Sequence, residues 1–231
     1  MAEERFARLN LYRERLTKEL SIPEHEVRDR ARWDMTLLSE NYKCGVSIDL
    51  PILNCRPSRA CAQVCYASQG RQYYRAGVVK SLAISRMLIE DPERASRKVA
   101  TEAAGRTVRL AGSGDILPAH RQFVDCLGDS RVDWWGFTRR IETHCLLPRL
   151  MFSFDQTSPS RIRDYMEKNV PVRRRAYLRR PCDPAPETPV AVIFPVHGPR
   201  TRYVDYVPEH RSDCPAIRGR IKGCWECRRC Y

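Results

Sequence analysis

The sequence predicts an α/β protein built on a parallel sheet, curled toward a partial (β/α) barrel. A helical segment precedes the sheet and an irregular cysteine-rich cap follows it. Three observations carry this. Six short runs rich in β-branched and aromatic residues alternate with helical stretches between residues 45 and 196, the pattern of a parallel sheet with crossover helices. Polar residues stand directly after several of those runs, where such sheets bind their ligands. The chain has 231 residues, 42% of them apolar, enough to bury a sizeable core. No apolar run reaches the length of a membrane span.

Taken in order, residues 2–20 read as an amphipathic helix, with Phe6, Leu9, Tyr12, Leu16 and Leu20 at spacings of three and four. Ser21 and Pro23 end it and open a shorter helix to about Trp33. Residues 1–42 thus form a helical segment that packs on the main domain. That domain, residues 43–198, starts with a strand from Gly45 to Leu50, stopped by Pro51. Helices follow at 74–90 and from the Asp91-Pro92 start signal to Gly105. Strands are then expected at 107–111, 132–138, 150–154, 172–178 and 190–196, with helices at 118–127 and 158–168. Four prolines between Pro181 and Pro189 mark a surface loop. Beyond Pro199 periodicity is lost, and residues 199–231 read as a cap folded around a metal site.

Eleven cysteines are more than packing alone accounts for. Met1-Ala2-Glu3-Glu4-Arg5 leads into a charged amphipathic segment rather than a secretory signal. The expected location is therefore the cytoplasm, where thiols stay reduced and clustered cysteines point to metal. Cys224, Cys227 and Cys230 are spaced C-x2-C-x2-C, and Cys214 is followed by Pro215. Iron–sulfur ferredoxins use such a run with one further cysteine followed by proline. Four thiolates also suit structural zinc. Cys55, Cys61 and Cys65 form a second constellation, C-x5-C-x3-C, in the loop after the first predicted strand. Three ligands without a fourth leave a metal position open, as catalysis requires. Zinc completed by Cys44, or plain core packing, is the alternative for this loop. Cys126, Cys145 and Cys182 are further candidates for a distant ligand.

The formal net charge is +13, which favours nucleic acid or another polyanion as partner, or an anionic substrate. Arg173-Arg174-Arg175, Arg179-Arg180 and Arg228-Arg229 are the densest basic points. The polar residues at predicted strand ends are Ser113 and Asp115, Arg139 and Arg140, Asp155 and Gln156, and His197. The turn Gly112-Ser113-Gly114-Asp115 offers backbone N–H groups and a carboxylate to a small ligand, but no dinucleotide or Walker signature is present.

The order G-V-S-I-D-L-P, C-x5-C-x3-C-Y-A, V-R-L-A-G-S-G-D, W-W-G-F-T-R, C-P-A and C-x2-C-x2-C resembles the phage and bacterial "gene product eighty-eight" family over about Lys43 to Tyr231. That resemblance implies a phage or mobile-element protein and no particular chemistry. A looser resemblance is to radical S-adenosylmethionine enzymes. These have a partial α/β barrel, a three-cysteine loop after the first strand and a Gly-rich acidic turn after the second. The usual loop is C-x3-C-x2-C, so this chain departs from it in spacing.

The functional expectation is an iron–sulfur enzyme, radical S-adenosylmethionine-like, with one or two 4Fe–4S clusters. Cys55, Cys61 and Cys65 would hold the catalytic cluster, and Cys214, Cys224, Cys227 and Cys230 an auxiliary or structural one. Ser113, Gly114 and Asp115 would position the cofactor, and Asp115, Arg139, Gln156 and His197 would line the pocket. The alternative is a non-catalytic nucleic-acid-binding phage protein whose iron–sulfur or zinc sites only hold the fold.

Overall fold

The computed structural model describes residues 2–41, 45–63, 65–68, 70–179 and 183–195. It is a mixed α/β fold on one seven-stranded sheet whose strands follow chain order. β1 (Leu38–Asn41) runs antiparallel to β2 (Gly45–Ile48), with Leu38 opposite Ile48. β2, β3 (Val108–Leu110), β4 (Trp134–Thr138), β5 (Met151–Phe154), β6 (Arg175–Arg179) and β7 (Val192–Pro195) are all parallel. Their carboxyl ends therefore lie along one edge.

Eight α-helices accompany the described strands: α1 (Ala2–Leu20), α2 (Glu24–Arg30), α3 (Arg59–Gln63), α4 (Arg75–Glu90), α5 (Pro92–Ala103), α6 (Arg121–Asp129), α7 (Ile141–Leu146) and α8 (Ser160–Asn169). α5 starts as its sequence dictates. The Asp91 carboxylate accepts the Arg94 N–H at 3.1 Å, Pro92 stands at the first position, and Ala104 closes the helix in the left-handed conformation.

The core divides by the two-residue alternation of the strands. Val46, Ile48, Val108, Leu110 and Trp134 pack with Ile84, Leu88, Val99, Phe123 and Leu127 from α4, α5 and α6. Further along the sheet, Phe152, Phe154, Tyr177 and Ile193 pack with Met166 of α8. Their neighbours Met151, Ala176 and Val192 form a separate cluster with Phe137 and Phe194, whose rings meet edge to face at 4.8 Å. Full burial of each large apolar side chain is worth about 1.5–3 kcal/mol.

Several local expectations are corrected. The second helix stops at Arg30 rather than Trp33. Leu20, placed on the apolar stripe of α1, is 69% exposed. Residues 37–41 are not helical: the Glu102 carboxylate of α5 accepts the Leu37 and Leu38 N–H groups, each at 2.9 Å, and this fixes the entry of β1. Val172–Arg174 form a 3₁₀ turn after Pro171, so the strand begins only at Arg175.

His120, fully buried, joins α4 to the turn before α6. The Leu117 N–H donates to its Nδ1 at 3.0 Å, so Nε2 carries the proton and donates to Ser85 Oγ, also at 3.0 Å. Burial lowers its pKa from 6.5 to about 4. Between those values the unfolded chain binds a proton that the folded one refuses. The stability from this group is present above the window and is lost as pH falls through it, by up to about 3 kcal/mol. His120→Gln should flatten that part of the pH dependence, read by urea unfolding at neutral pH and near its folded pKa. Equal slopes in the two proteins would show that the ring is not buried neutral.

Candidate functional site at the carboxyl edge of the sheet

The ends of β2 and β3 are laced together. The Gly112 N–H donates to Ile48 O at 2.7 Å, the Leu50 N–H to Ser113 O at 3.0 Å, and the Ser113 hydroxyl to Leu50 O at 3.0 Å. Ser113 is thus spent on the backbone. Gly114 has φ +72°, and a Cβ there would stand 2.5 Å from the carbonyl oxygens of Leu50 and Pro51, so only glycine serves. After this close approach the β2 chain makes a 3₁₀ turn at Ile52–Asn54, then Cys55, then α3 with Cys61, then Cys65. All three thiols are free and partly buried.

α1 holds this loop from one side. Glu19 accepts the Ile52 N–H at 3.0 Å and the Leu53 N–H at 2.8 Å, a carboxylate on the amino end of a 3₁₀ turn. Arg15, four residues back, pairs with Glu19 at 2.8 Å, both side chains almost wholly buried. Tyr12 packs with Ile52, Ala62 and Ala67, against which Cys55 and Cys65 also rest.

The end of β5 holds it from the other side. Asp155 Oδ2 accepts from the Ser58 hydroxyl and from Arg139 Nη1 at 2.7 Å, while Oδ1 accepts the Thr157 N–H and hydroxyl, each at 2.8 Å. Thr157 Oγ1 accepts the Ala60 N–H at 2.9 Å, and Ser58 Oγ the Cys61 N–H at 3.1 Å. The amino end of α3 is thereby fixed around Cys61. Asn54 ties in the remaining loops: its Nδ2 donates to Asp115 O at 3.2 Å, and its carbonyl accepts from Arg140 Nη1 at 3.0 Å.

The electrostatics follow from this burial. Desolvation pushes the Asp115 carboxyl up to about 7, against the opposing Arg139 N–H, 3.2 Å from Oδ2, and the Thr138 hydroxyl. Burial also acts to raise Asp155, but Arg139 and the hydroxyl donors outweigh it and hold that carboxyl below its ordinary range. Burial raises Cys55 well above the usual thiol value, with Asp115, Cys61 and Cys65 adding to it. Cys61 is raised by burial too, and Arg139 partly offsets this. A bound metal would reverse that logic by deprotonating the thiols.

Several buried polar atoms at this edge have no hydrogen-bond partner among the described residues: Nε and Nη1 of Arg15, Ser68 Oγ, Asp115 Oδ1, Arg139 Nη2 and Arg140 Nε. Such orphans are rare and point to a group still to be seated. The charge of Arg15 is felt by Cys65, that of Arg139 by Cys61 and that of Asp115 by Cys55. The donor chemistry fits an anionic centre held by thiolates, with cationic N–H groups to spare. Among the described residues, no three His, Cys, Asp or Glu side chains are set to hold a single metal ion together. Beside the loop lies a groove of about 540 Å³, lined by Arg56, Ser58, Arg139, Arg140, Ser158 and Arg161 among others.

The structure thus brings Cys55, Cys61, Cys65, Asp115 and Arg139 to one place. Gln156 is exposed beside Asp155. Cys145 is exposed on α7, 3.3 Å from the Tyr165 hydroxyl, and Cys126 on α6 feels Glu93, Asp125 and Asp129 rather than the loop thiols. Cys44, Cys182, His197 and the four cysteines of the cap lie outside the described residues. Sequence reasoning missed Ser58, Asn54, Arg15 and Glu19. A signal existed for the last two, a charged pair at i, i+4 flanking Leu16 on the apolar stripe of α1.

A family model described as "Gene product 88" matches residues 12–231. This chain belongs to the gene product 88 family. No curated protein and no solved structure matches it. The match takes in every element of the gene product 88 site just described, including the half of α1 that covers the loop. Among the described residues, no helix of this family member is long and apolar enough to cross a membrane.

Removing Glu19 tests how the loop is held. Glu19→Ala strands a buried guanidinium and two backbone N–H groups, so denaturant titration should show a loss of about 3–5 kcal/mol. Labelling of Cys55 and Cys65 by a thiol reagent should speed up in the native state. Unchanged labelling would mean that α1 does not hold the loop.

Proposed function

We propose that the protein is an iron–sulfur enzyme of radical S-adenosylmethionine type, acting on an anionic substrate. One observation carries the reading: three free thiols share a loop at the carboxyl edge of a parallel sheet, ringed by buried orphan atoms of Arg15, Arg139 and Asp115. Two further features support it. Six parallel strands follow chain order, as a sheet curling toward a partial barrel would require. The cysteine loop follows the first of these strands and the Ser113–Asp115 turn follows the second.

In this reading Cys55, Cys61 and Cys65 hold a 4Fe–4S cluster, which when bound supplies an iron with an open position and one-electron chemistry. Arg15 and Arg139 offset the negative charge of the thiolates. Asp115 Oδ1 accepts an N–H from a ligand ammonium such as that of S-adenosylmethionine, and the ammonium restores the ionised carboxylate that burial opposes. Ser113 and Gly114 pack on the backbone of Leu50 and Pro51 and so serve the ligand only by holding the turn that carries Asp115. Arg139 and Arg140 turn their remaining donors to the substrate anion. A second cluster on Cys214, Cys224, Cys227 and Cys230 rests on their spacing alone.

The second reading is a non-catalytic polyanion-binding protein with structural iron–sulfur or zinc, favoured by the net charge of +13 and the arginine-lined groove. Metal and sulfide content of protein purified without oxygen separates the two. The enzyme reading expects about eight irons for two clusters, or about four for one, with a brown absorption band. Cys61→Ala should remove about four irons, and with them calorimetric S-adenosylmethionine binding. Zinc without iron would sink the enzyme reading.

A further inference from the structure

We infer that the groove beside the thiol loop is a binding site for a phosphate monoester of nucleotide size. This deepens the proposed function by naming the anionic group of its substrate, but it needs no metal in the loop. The volume of about 540 Å³ falls within the usual span of small-molecule sites, about 300–1,000 Å³. It suits one nucleotide rather than the run of phosphates that a nucleic-acid track contacts.

The charge count points to a dianion. Four guanidiniums line the groove, those of Arg56, Arg139, Arg140 and Arg161. Two carboxylates answer them. Glu142 is shared by Arg56 at 3.1 Å and Arg140 at 2.8 Å, and Asp155 is taken by Arg139 at 2.7 Å. Arg161 has no ion pair among the described residues. Asp115, which also interacts with Arg139 and Arg140, adds a partial negative charge. The surplus therefore lies between one and two positive charges, nearer to a phosphate monoester, about −1.5 to −2 at neutral pH, than to a single carboxylate.

The donors are also set in advance. The Arg139 and Arg140 side chains are only 12% and 13% exposed, held by Asp155, Glu142 and the Asn54 carbonyl. Each keeps one buried N–H without a partner, Nη2 of Arg139 and Nε of Arg140. Those two N–H groups are enclosed, so a ligand in the groove meets the exposed part of each guanidinium. Rigid guanidiniums suit the oxygens of a phosphate. Ser158 Oγ accepts the Asp155 N–H at 2.9 Å, and its own O–H remains to donate. α8, ten residues long, begins at the groove behind Pro159 with no side-chain cap, so its positive end adds to the same potential. Arg139 and Ser58 belong both to this groove and to the network around Cys61. A ligand anchored here therefore sits beside the thiol loop.

Calorimetry on the full chain in phosphate-free buffer tests the assignment, with adenosine monophosphate, adenosine and inorganic phosphate as probes. The monophosphate should bind, inorganic phosphate should compete with it, and adenosine should bind at least about tenfold more weakly. Arg161→Glu, at an exposed and unpaired position, should weaken the monophosphate about tenfold or more, with unfolding unchanged. Binding of the monophosphate by protein that takes up no iron would remove the cluster and keep this site; iron without such binding would do the reverse. Equal affinity for adenosine and its monophosphate would overturn the assignment, as would an Arg161→Glu protein that binds normally. A 5′-hydroxyl oligonucleotide that loses affinity with Arg161→Glu, while the monophosphate does not bind, would give the groove to nucleic acid instead.

Discussion

The candidate site depends on one buried carboxylate. Asp155 has no exposed side-chain surface and receives four donors, from Ser58, Arg139 and twice from Thr157. A largely desolvated ion pair of this kind is poor evidence for net stability, since removing two charges from water costs about what their attraction returns. Its effect is positional. Three segments far apart in sequence, the cysteine loop and the ends of β4 and β5, converge on one group that tolerates no vacancy. Withdrawing any one donor would leave a buried charge short of its partners. The direction of the Arg139 side chain, the seat of α3 and the wall of the groove are therefore fixed together.

A second buried pair repeats this from the opposite side. Arg15 and Glu19 lie on the face of α1 that meets the loop, and Glu19 spends its oxygens on backbone N–H groups of the 3₁₀ turn before Cys55. The thiols are gripped between two desolvated ion pairs, one facing the amino-terminal helix and one facing the sheet. Both arginines keep unsatisfied buried N–H groups, and their charges interact with those of Cys65 and Cys61. In a finished interior such donors are a cost. They become an asset when an anionic group takes the space between them.

Much of the fold was legible because local signals agreed with tertiary structure. The alternation of strand and helix from Gly45 onward survives with ends displaced by a few residues, and the Asp91-Pro92 start is where its capping chemistry places it. β1 was not legible. Leu38-Ser-Glu-Asn41 is too short to show a period, and it becomes a strand through Glu102, 64 residues away from Leu38 in sequence. Val172–Arg174 misled because Val-Arg-Arg-Arg-Ala-Tyr-Leu reads as extended, while Pro171 opens a turn first. At the site, Cys55, Cys61, Cys65, Asp115 and Arg139 could be picked out by type and by position after strands. Asp155 and Gln156 could not be ranked that way. What sets them apart is Ser58, 97 residues from Asp155, and Arg139, 16 residues away.

The docking of α1 carries a consequence for the order of assembly. The helix stands before its partners in the chain, the 3₁₀ turns and helices between Ile52 and Glu90, and so leaves the ribosome ahead of them. Its buried charges, Arg15 and Glu19, have nothing to neutralise their remaining groups until that later chain exists. The helix must therefore wait in water until that stretch is in place, and then comes down as a roof on walls already standing. Anything seated among the three thiols goes in before the roof closes, or enters only when the roof lifts.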